Sequence, residues 1–541
     1  MSSTTENLKL QFPDLEWQKL PDPKHHQAYV YHGFMPEKTT IKKGHMRAPV
    51  RRPFLSDTIY ERDVGIPLRD GVILYADIFR PVESDHQHKV PAILPWSPCG
   101  KTGTGTEQYE SLAPFRAGLR LDQTSGYDKF QGPDPADWGQ QEAEDIYDAI
   151  DWASKQAWSN GRIGMAGTSW LAISQINFAS RLTHPALKAL APWESRNEIY
   201  RDTLARGGKK HNPALHKFLL AGFAGPNTVE NMPAMLPKHP LYDEYWASKY
   251  IHTENITVPM YVVASYSSQI HEVASSPPSQ EWYDLNRPEM VGDLQRYFDR
   301  YLKGIDNGWE KDTPRVRLSL LGFEVSGGIS STIREIPEPE WPLSRQQLRR
   351  LYLDVSTMSL QEQHVGTESS VSYAANDMYA SSDFTVYFNK YTKIAGYAKV
   401  SLWMSCEDLD DLDVAVQIRK ISQHDIPNVN TAKYLGPQSF LRASHSITKD
   451  DTLSSEQEIF YRHDRRKLIV PGSIVRLEIT LWPMGMTFET DEGIMLRVAG
   501  HDMCLPETDR IKGASANNEN IGDHKTYAGG KYQSYLILPV V

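Results

Sequence analysis

Residues 161–175, GRIGMAGTSWLAISQ, read as a buried strand, a sharp turn carrying one serine, and the first turns of a helix. Ser169 sits at that turn. A nucleophilic serine raised on a strand-to-helix bend needs a small residue two positions earlier, so that the backbone can take a strained path and lift the Oγ clear of the sheet. Gly167 meets this need; Leu171 stands where the usual pattern has a second glycine, with Ala172 the nearest small residue, so the motif is G-x-S-x-L. The same residues also fit a simpler arrangement, a serine capping the start of a helix.

The flanks extend the pattern. Residues 142–158, EAEDIYDAIDWASKQAW, carry Ile146, Ala149, Ile150 and Ala153 at the spacing of an amphipathic helix, and SNG at 159–161 is expected to stop it. Residues 189–193, ALAPW, read as the next short strand. Helix, strand, serine turn, helix, strand is the order of an α/β hydrolase. The blocks EAEDIYDAIDW, WSNGRIGMAGTSWLAISQ, ALAPWE and, later, QRYFDRYLKGIDNG together resemble the Xaa-Pro dipeptidyl-peptidase and cocaine-esterase type of α/β hydrolase, the S15 peptidase-like group, and the resemblance runs from about Arg69 to the terminal SYLILPVV. It implies an α/β hydrolase domain with an inserted helical cap, plus a C-terminal all-β jelly-roll (galactose-binding-like) domain. The expected limits are an N-terminal arm over 1–55, the hydrolase domain over 56–195 and 257–336, the cap over 196–256, and the β-sandwich over 337–541.

Composition agrees with several cores. The 541 residues exceed one ordinary domain, and 40% are hydrophobic. A net charge of -10 leaves no basic stripe to replace phosphate counterions, which argues against a nucleic-acid partner. Cys99, Cys406 and Cys504 are too far apart to suggest a disulfide framework or a zinc site. His25 and His26 lack a carboxylate or thiol at ligand spacing, so neither metal nor other cofactor is expected. There is no signal-peptide pattern and no apolar run of membrane-spanning length, so the expectation is a cytoplasmic protein with no membrane partner. Homo-oligomer formation is left open.

Taken in order, residues 1–55 are polar and proline-punctuated, with little periodicity. RDGVILYADIFRP at 69–81 alternates around an Asp-Gly turn, a hairpin signal. Residues 92–96 are a short apolar strand. In the loop that follows, the family carries a tyrosine whose hydroxyl helps hold the oxyanion, together with the backbone N–H after the nucleophile, here that of Trp170. Cys99 occupies the tyrosine position, and a thiol is a weaker donor. Between 102 and 140, KFQGPDPADW passes into GQQEAED without the apolar run that would form the family's next strand. The strand at 258–267, VPMYVVASYS, leads to the position of the family's catalytic acid, where Ser268 stands; Glu272 is the next carboxylate. The family's histidine position carries Gln280, again without the intervening strand, and His271 is the best substitute base. His211 and His216 are poorer ones.

Residues 194–256 read as helical and loop-rich, with Trp193, Tyr200, Phe218, Tyr242, Tyr245 and Trp246 as aromatic groups either for a pocket or for ordinary packing. DLQRYFDRYLKGIDNG is a helix closed by glycines. Beyond 337, short alternating segments with turn signals indicate a β-sandwich. The acidic run EDLDDLD at 407–413 lacks the spacing and glycine of a calcium loop and reads as a strand connection.

Two functions are consistent with these residues. In one, Ser169 is the nucleophile of a hydrolase or acyl-transfer enzyme acting on an ester or amide of a small molecule or peptide, with altered acid and base. In the other, the chain is a catalytically degenerate hydrolase-fold protein with a binding or scaffold role.

Overall fold

The structure, a computed structural model, describes residues 10–22, 33–46, 53–85, 88–96, 139–210, 228–264, 288–322, 333–377, 379–422, 435–503 and 519–541. Short N-terminal strands pair far along the chain or with each other. β1 (Trp17–Lys19) runs antiparallel to β8 (Thr228–Glu230), while β2 (Glu37–Ile41), β3 (Thr58–Pro67) and β4 (Ile73–Pro81) form an antiparallel sheet. The expected hairpin is β3–β4, closed by Asp70 and Gly71, with Gly71 at φ 90°. Its turn is tied to the helix α1 (Gln140–Ser154) by Arg69, which meets the Asp148 carboxylate through both its backbone N–H (2.7 Å) and its guanidinium (2.7 Å).

The centre is a parallel sheet of β5 (Val90–Leu94), β6 (Ser159–Thr168) and β7 (Leu187–Trp193), with residues 259–263 running alongside β7 through bridges at Met260 and Val263. Residues 159–161 belong to β6 and do not stop the helix. Ser159 pairs with Val90, and α1 has already ended at Ser154. Alternation along β6 sorts its side chains into layers. Ile163 and Met165 pack with Ile146, Ala149 and Ile150 of α1 and Phe178 of α2 (Trp170–Arg181). On the opposite face lies α3 (Pro288–Lys303), so close that a Cβ on Gly164 would sit 2.7 Å from the Phe298 ring. Tyr297 of α3 donates its hydroxyl to the carbonyls of Pro259 (2.6 Å) and Leu190 (2.9 Å), fastening the 259–263 segment to β7. Gly304, at φ 72°, ends α3 with its N–H on the Arg300 carbonyl (3.1 Å), the left-handed stop expected from the sequence.

The chain leaves through β9 (Val316–Leu320) and β10 (Ile333–Glu338), an antiparallel pair. A thirteen-stranded sheet follows, from β11 (Gln347–Asp354) to β23 (Tyr535–Val540), around one large apolar core. The acidic run before β17 (Asp413–Ser422) is an internal clasp. Asp413 makes a buried two-point pair with Arg442 (2.7 Å at both oxygens), at the end of β18 (Leu435–Arg442), and Asp411 accepts from the Ser444 N–H (2.8 Å) and from Arg466 (2.8 Å). Among the described residues, no group of His, Cys, Asp or Glu is placed to hold a metal ion, and no helix is long and apolar enough to cross a membrane.

Residues 200–209 join the parallel-sheet half to the β half. A Cβ on Gly207 would lie 2.0 Å from the Phe440 carbonyl oxygen, and one on Gly208 would lie 2.5 Å from the His445 ring. Arg201 donates to the main-chain carbonyls of Tyr461 (2.9 Å) and Arg462 (2.6 Å). Beneath this contact, the buried imidazoles of His445 and His463 face each other with Nδ1 atoms 3.0 Å apart. Of the aromatic residues between 193 and 246, Tyr200, Tyr245 and Trp246 are wholly inside the core, so packing is their role; Phe218 lies outside the described residues.

Candidate active site

Ser169 follows the last residue of β6 and has φ 63° and ψ -122°, a left-handed conformation that costs a non-glycine residue about 1–3 kcal/mol. Its N–H donates to the Trp193 carbonyl (3.1 Å), and its own carbonyl accepts from Ala172 and Ile173 (2.9 Å each), so the main chain alone starts α2. The side chain makes no capping hydrogen bond to that helix. A capping serine would have an extended backbone and use its Oγ on the helix amides; Ser169 does neither.

Gly167 explains how Leu171 can replace the second glycine of the usual motif. At φ 153°, with an added Cβ only 2.3 Å from the Leu171 Cβ, Gly167 supplies all the room at the crossing of β6 and α2. Leu171 can then be a buried core residue. Gln175 locks the helix over the sheet, accepting from the Ala191 N–H (3.0 Å) and donating to the Leu171 carbonyl (2.7 Å). The Trp170 amide is at the first position of α2, where the helix offers it no acceptor and its dipole favours negative charge.

Beneath the turn, Glu142 of α1 is completely enclosed. Ser174 Oγ donates to it (2.9 Å), as does Asn177 Nδ2 (3.1 Å), and the side chains of Trp170 and Trp96 lie close by and favour its charged form. Burial raises its pKa despite these donors, which work in the opposite direction. The carboxylate thus sits beside Trp170, the residue after Ser169, and near Trp96, two residues past the end of β5. Glu142 precedes Ile146 by four residues and lies on the same stripe as Ala149, Ile150 and Ala153, so an acid on an apolar face was the signal available in the sequence.

Of the residues singled out by sequence, Ser169 and Trp170 are brought together at the carboxyl edge of the parallel sheet. Cys99, Ser268, His271, Glu272, Gln280, His211 and His216 lie outside the described residues.

The geometry of the serine turn can be set beside known proteins, and the comparisons point to a hydrolase family. The pattern of the X-Pro dipeptidyl-peptidase (S15 family) matches residues 70–228, and that of the X-Pro dipeptidyl-peptidase C-terminal non-catalytic domain matches 307–537. The chain belongs to the Xaa-Pro dipeptidyl-peptidase-like, cocaine-esterase type of α/β hydrolase family. A CocE/NonD family hydrolase from Staphylococcus aureus superimposes with a TM-score of 0.80 at 26% identity, covering 97% of this chain and 100% of that one. The cocaine esterase of Rhodococcus sp. (strain MB1 Bresler) is 32% identical over 147 residues, 26% of this chain and 24% of that protein. A protein of Aspergillus ustus called L-tyrosine:2-oxoglutarate aminotransferase is 44% identical over 73 residues, 14% of each. The matched stretches therefore span a quarter or less of these two curated relatives.

Proposed function

We propose that this S15-type chain is a serine hydrolase in which Ser169 attacks the carbonyl carbon of an ester or amide in a small molecule or peptide. The observation that carries the reading is the left-handed backbone of Ser169, which is strained and leaves its hydroxyl out of helix capping. As the Ser169 Oγ bonds to the acyl carbon, its proton passes to a base. The Trp170 N–H at the α2 terminus receives the developing oxyanion, with Cys99 at the position of the family tyrosine as second donor. The base returns the proton to the departing alcohol or amine, and water then releases the acyl group by the same route. His271 is the base assigned here, with Ser268 and Gln280 standing at the family's acid and base positions. The thirteen-stranded unit is read as the jelly roll that frames the site, and residues 196–256 as the cap.

The test is labelling of the purified protein with a fluorophosphonate, followed by peptide mass spectrometry. Stoichiometric adduct at Ser169, absent from Ser169→Ala, is expected. A folded protein that takes no label would refute the serine mechanism and favour the binding or scaffold role.

A further inference from the structure

α2 carries a stripe of polar side chains directly behind the serine turn. Ser174, Asn177 and Arg181 recur at spacings of three and four, so they lie along one face of the helix, in line with Trp170 at its first position. Ser174 and Asn177 are fully buried. They face Glu142, which stands in the first turn of α1 and is only 5% exposed. Ser174 Oγ lies 2.9 Å from one Glu142 carboxylate oxygen and 2.9 Å from the Trp170 carbonyl, so a single hydroxyl ties the acid to the residue that follows Ser169. Asn177 Nδ2 reaches the other carboxylate oxygen (3.1 Å) and the Gly139 carbonyl (3.2 Å), while its Oδ1 accepts from Arg181 Nε (2.8 Å). Arg181 in turn donates to the Ser248 carbonyl (2.9 Å).

A carboxylate is a costly group at this place. Farther along α1, Ile146, Ala149, Ile150 and Ala153 fill the core with apolar side chains. A buried acid gives up its hydration for bonds that at best replace it, and apolar residues at 142, 174 and 177 would hold the two helices together at lower cost. The strain next door supplies a reason for it. A backbone such as that of Ser169, at φ 63° and ψ -122°, persists only where its surroundings over-determine it. On one side the Trp193 carbonyl fixes the Ser169 N–H (3.1 Å). On the other the first turn of α2 has to be held, because a shift of Trp170 would let the turn relax. Glu142 provides that hold, at the Trp170 carbonyl through Ser174 and beside the Trp170 side chain.

We propose that Glu142 is the positioning residue of the serine turn, acting through Ser174 to fix Trp170 so that the Ser169 hydroxyl and the Trp170 N–H meet one substrate carbonyl group together. It touches neither the substrate nor the reacting bond, and no proton passes through it. The proposal rests on Ser169 being the nucleophile.

The experiment measures the rate of fluorophosphonate labelling at Ser169 in wild type, Glu142→Leu, Glu142→Gln, Ser174→Ala and the double variant Glu142→Leu/Ser174→Ala, with folding checked by circular dichroism and urea titration. Misplacing a reacting group by about 1 Å costs about 100-fold, so a folded Glu142→Leu should label about 100-fold more slowly than wild type. Glu142→Gln keeps a hydrogen-bonding group at the same reach and should recover most of that loss. Ser174→Ala should slow labelling by about 10-fold, the worth of one hydrogen bond to a charged group. The double variant should be no slower than Glu142→Leu, because both changes break one path. A merely structural role would lower the urea midpoint and leave the folded protein labelling at the wild-type rate. If Glu142→Leu does not fold, Ser174→Ala carries the test with its own 10-fold expectation. Wild-type rates in the folded variants, equal losses in Glu142→Leu and Glu142→Gln, or losses that multiply in the double variant overturn the role of Glu142 while leaving Ser169 as nucleophile. A wild-type protein that takes no label at Ser169 overturns both.

Discussion

Replacing Gly167 with alanine tests the serine turn without touching the serine. The new Cβ would lie 2.3 Å from Leu171 Cβ, 2.8 Å from its Cδ2 and 3.1 Å from its Cγ. Comfortable carbon contacts are about 3.5–4.0 Å. Leu171 is buried at the start of α2 and cannot swing into solvent. Overpacking of this kind costs about 1–3 kcal/mol, and the φ of 153° adds about 1–3 kcal/mol for a residue with a Cβ. The sum, about 4 kcal/mol, is a large share of the stability of an ordinary domain. The cost should appear as a lowered urea midpoint together with loss of labelling at Ser169. A double-mutant cycle isolates the contact. Leu171→Ala keeps the offending Cβ and should leave the cost of Gly167→Ala nearly unchanged, whereas Leu171→Gly removes it and should recover about 1–3 kcal/mol. The same cost in both backgrounds, or a total under about 1 kcal/mol, would refute the account of the turn.

Two further outcomes are expected. Ser169→Gly should abolish labelling yet stabilise the fold by about 0.5–1 kcal/mol, because glycine accepts φ 63° freely; an unchanged or lower urea midpoint would contradict the strain described here. Acid should loosen the junction around the histidine pair. Burial, reinforced by Arg466 and Arg442, pushes His445 down to about 4, and burial with the His445 ring holds His463 well below its ordinary value. Between the unfolded value of 6.5 and the folded value, the unfolded chain binds the proton that the native state refuses. Stability is therefore fully present above about pH 6.5 and declines as pH falls toward about 4, with His445 contributing about 2 kcal/mol of loss by pH 5. Urea midpoints measured from pH 7 to 5 should fall less steeply in His445→Asn; identical slopes would refute the assignment.

The sequence was most legible where hydrophobic periodicity and local turn chemistry agree. The β3–β4 hairpin, α1, the β6–α2 turn and the strands of the β half all rest on contacts between near neighbours in the chain or on alternation over several residues. What escaped depends on distant partners. Three residues of β1 become a strand only because 228–230 lie beside them, and three residues carry no measurable period. Residues 159–161 look like a helix stop, yet Ser159 is drawn into the sheet by Val90. Glu142 reads as a polar residue at the edge of an apolar segment, and its meaning comes from enclosure. It is covered by α2.

The grip of Arg201 on the β half has an evolutionary consequence. It holds the carbonyl oxygens of Tyr461 and Arg462, groups that every amino acid carries. The contact itself therefore does not read the side chains at 461 and 462, only the course of the loop. Arg201 has no such latitude, since lysine offers a single point charge in place of a forked donor. The selective constraint is thus one-sided. At this contact the half bearing the serine must conserve a side chain, while its partner need conserve only a path; what holds Tyr461 and Arg462 themselves is the β half's own packing, where the Tyr461 hydroxyl donates to the Glu478 carbonyl (2.7 Å) and Arg462 pairs with Asp450 (3.2 Å).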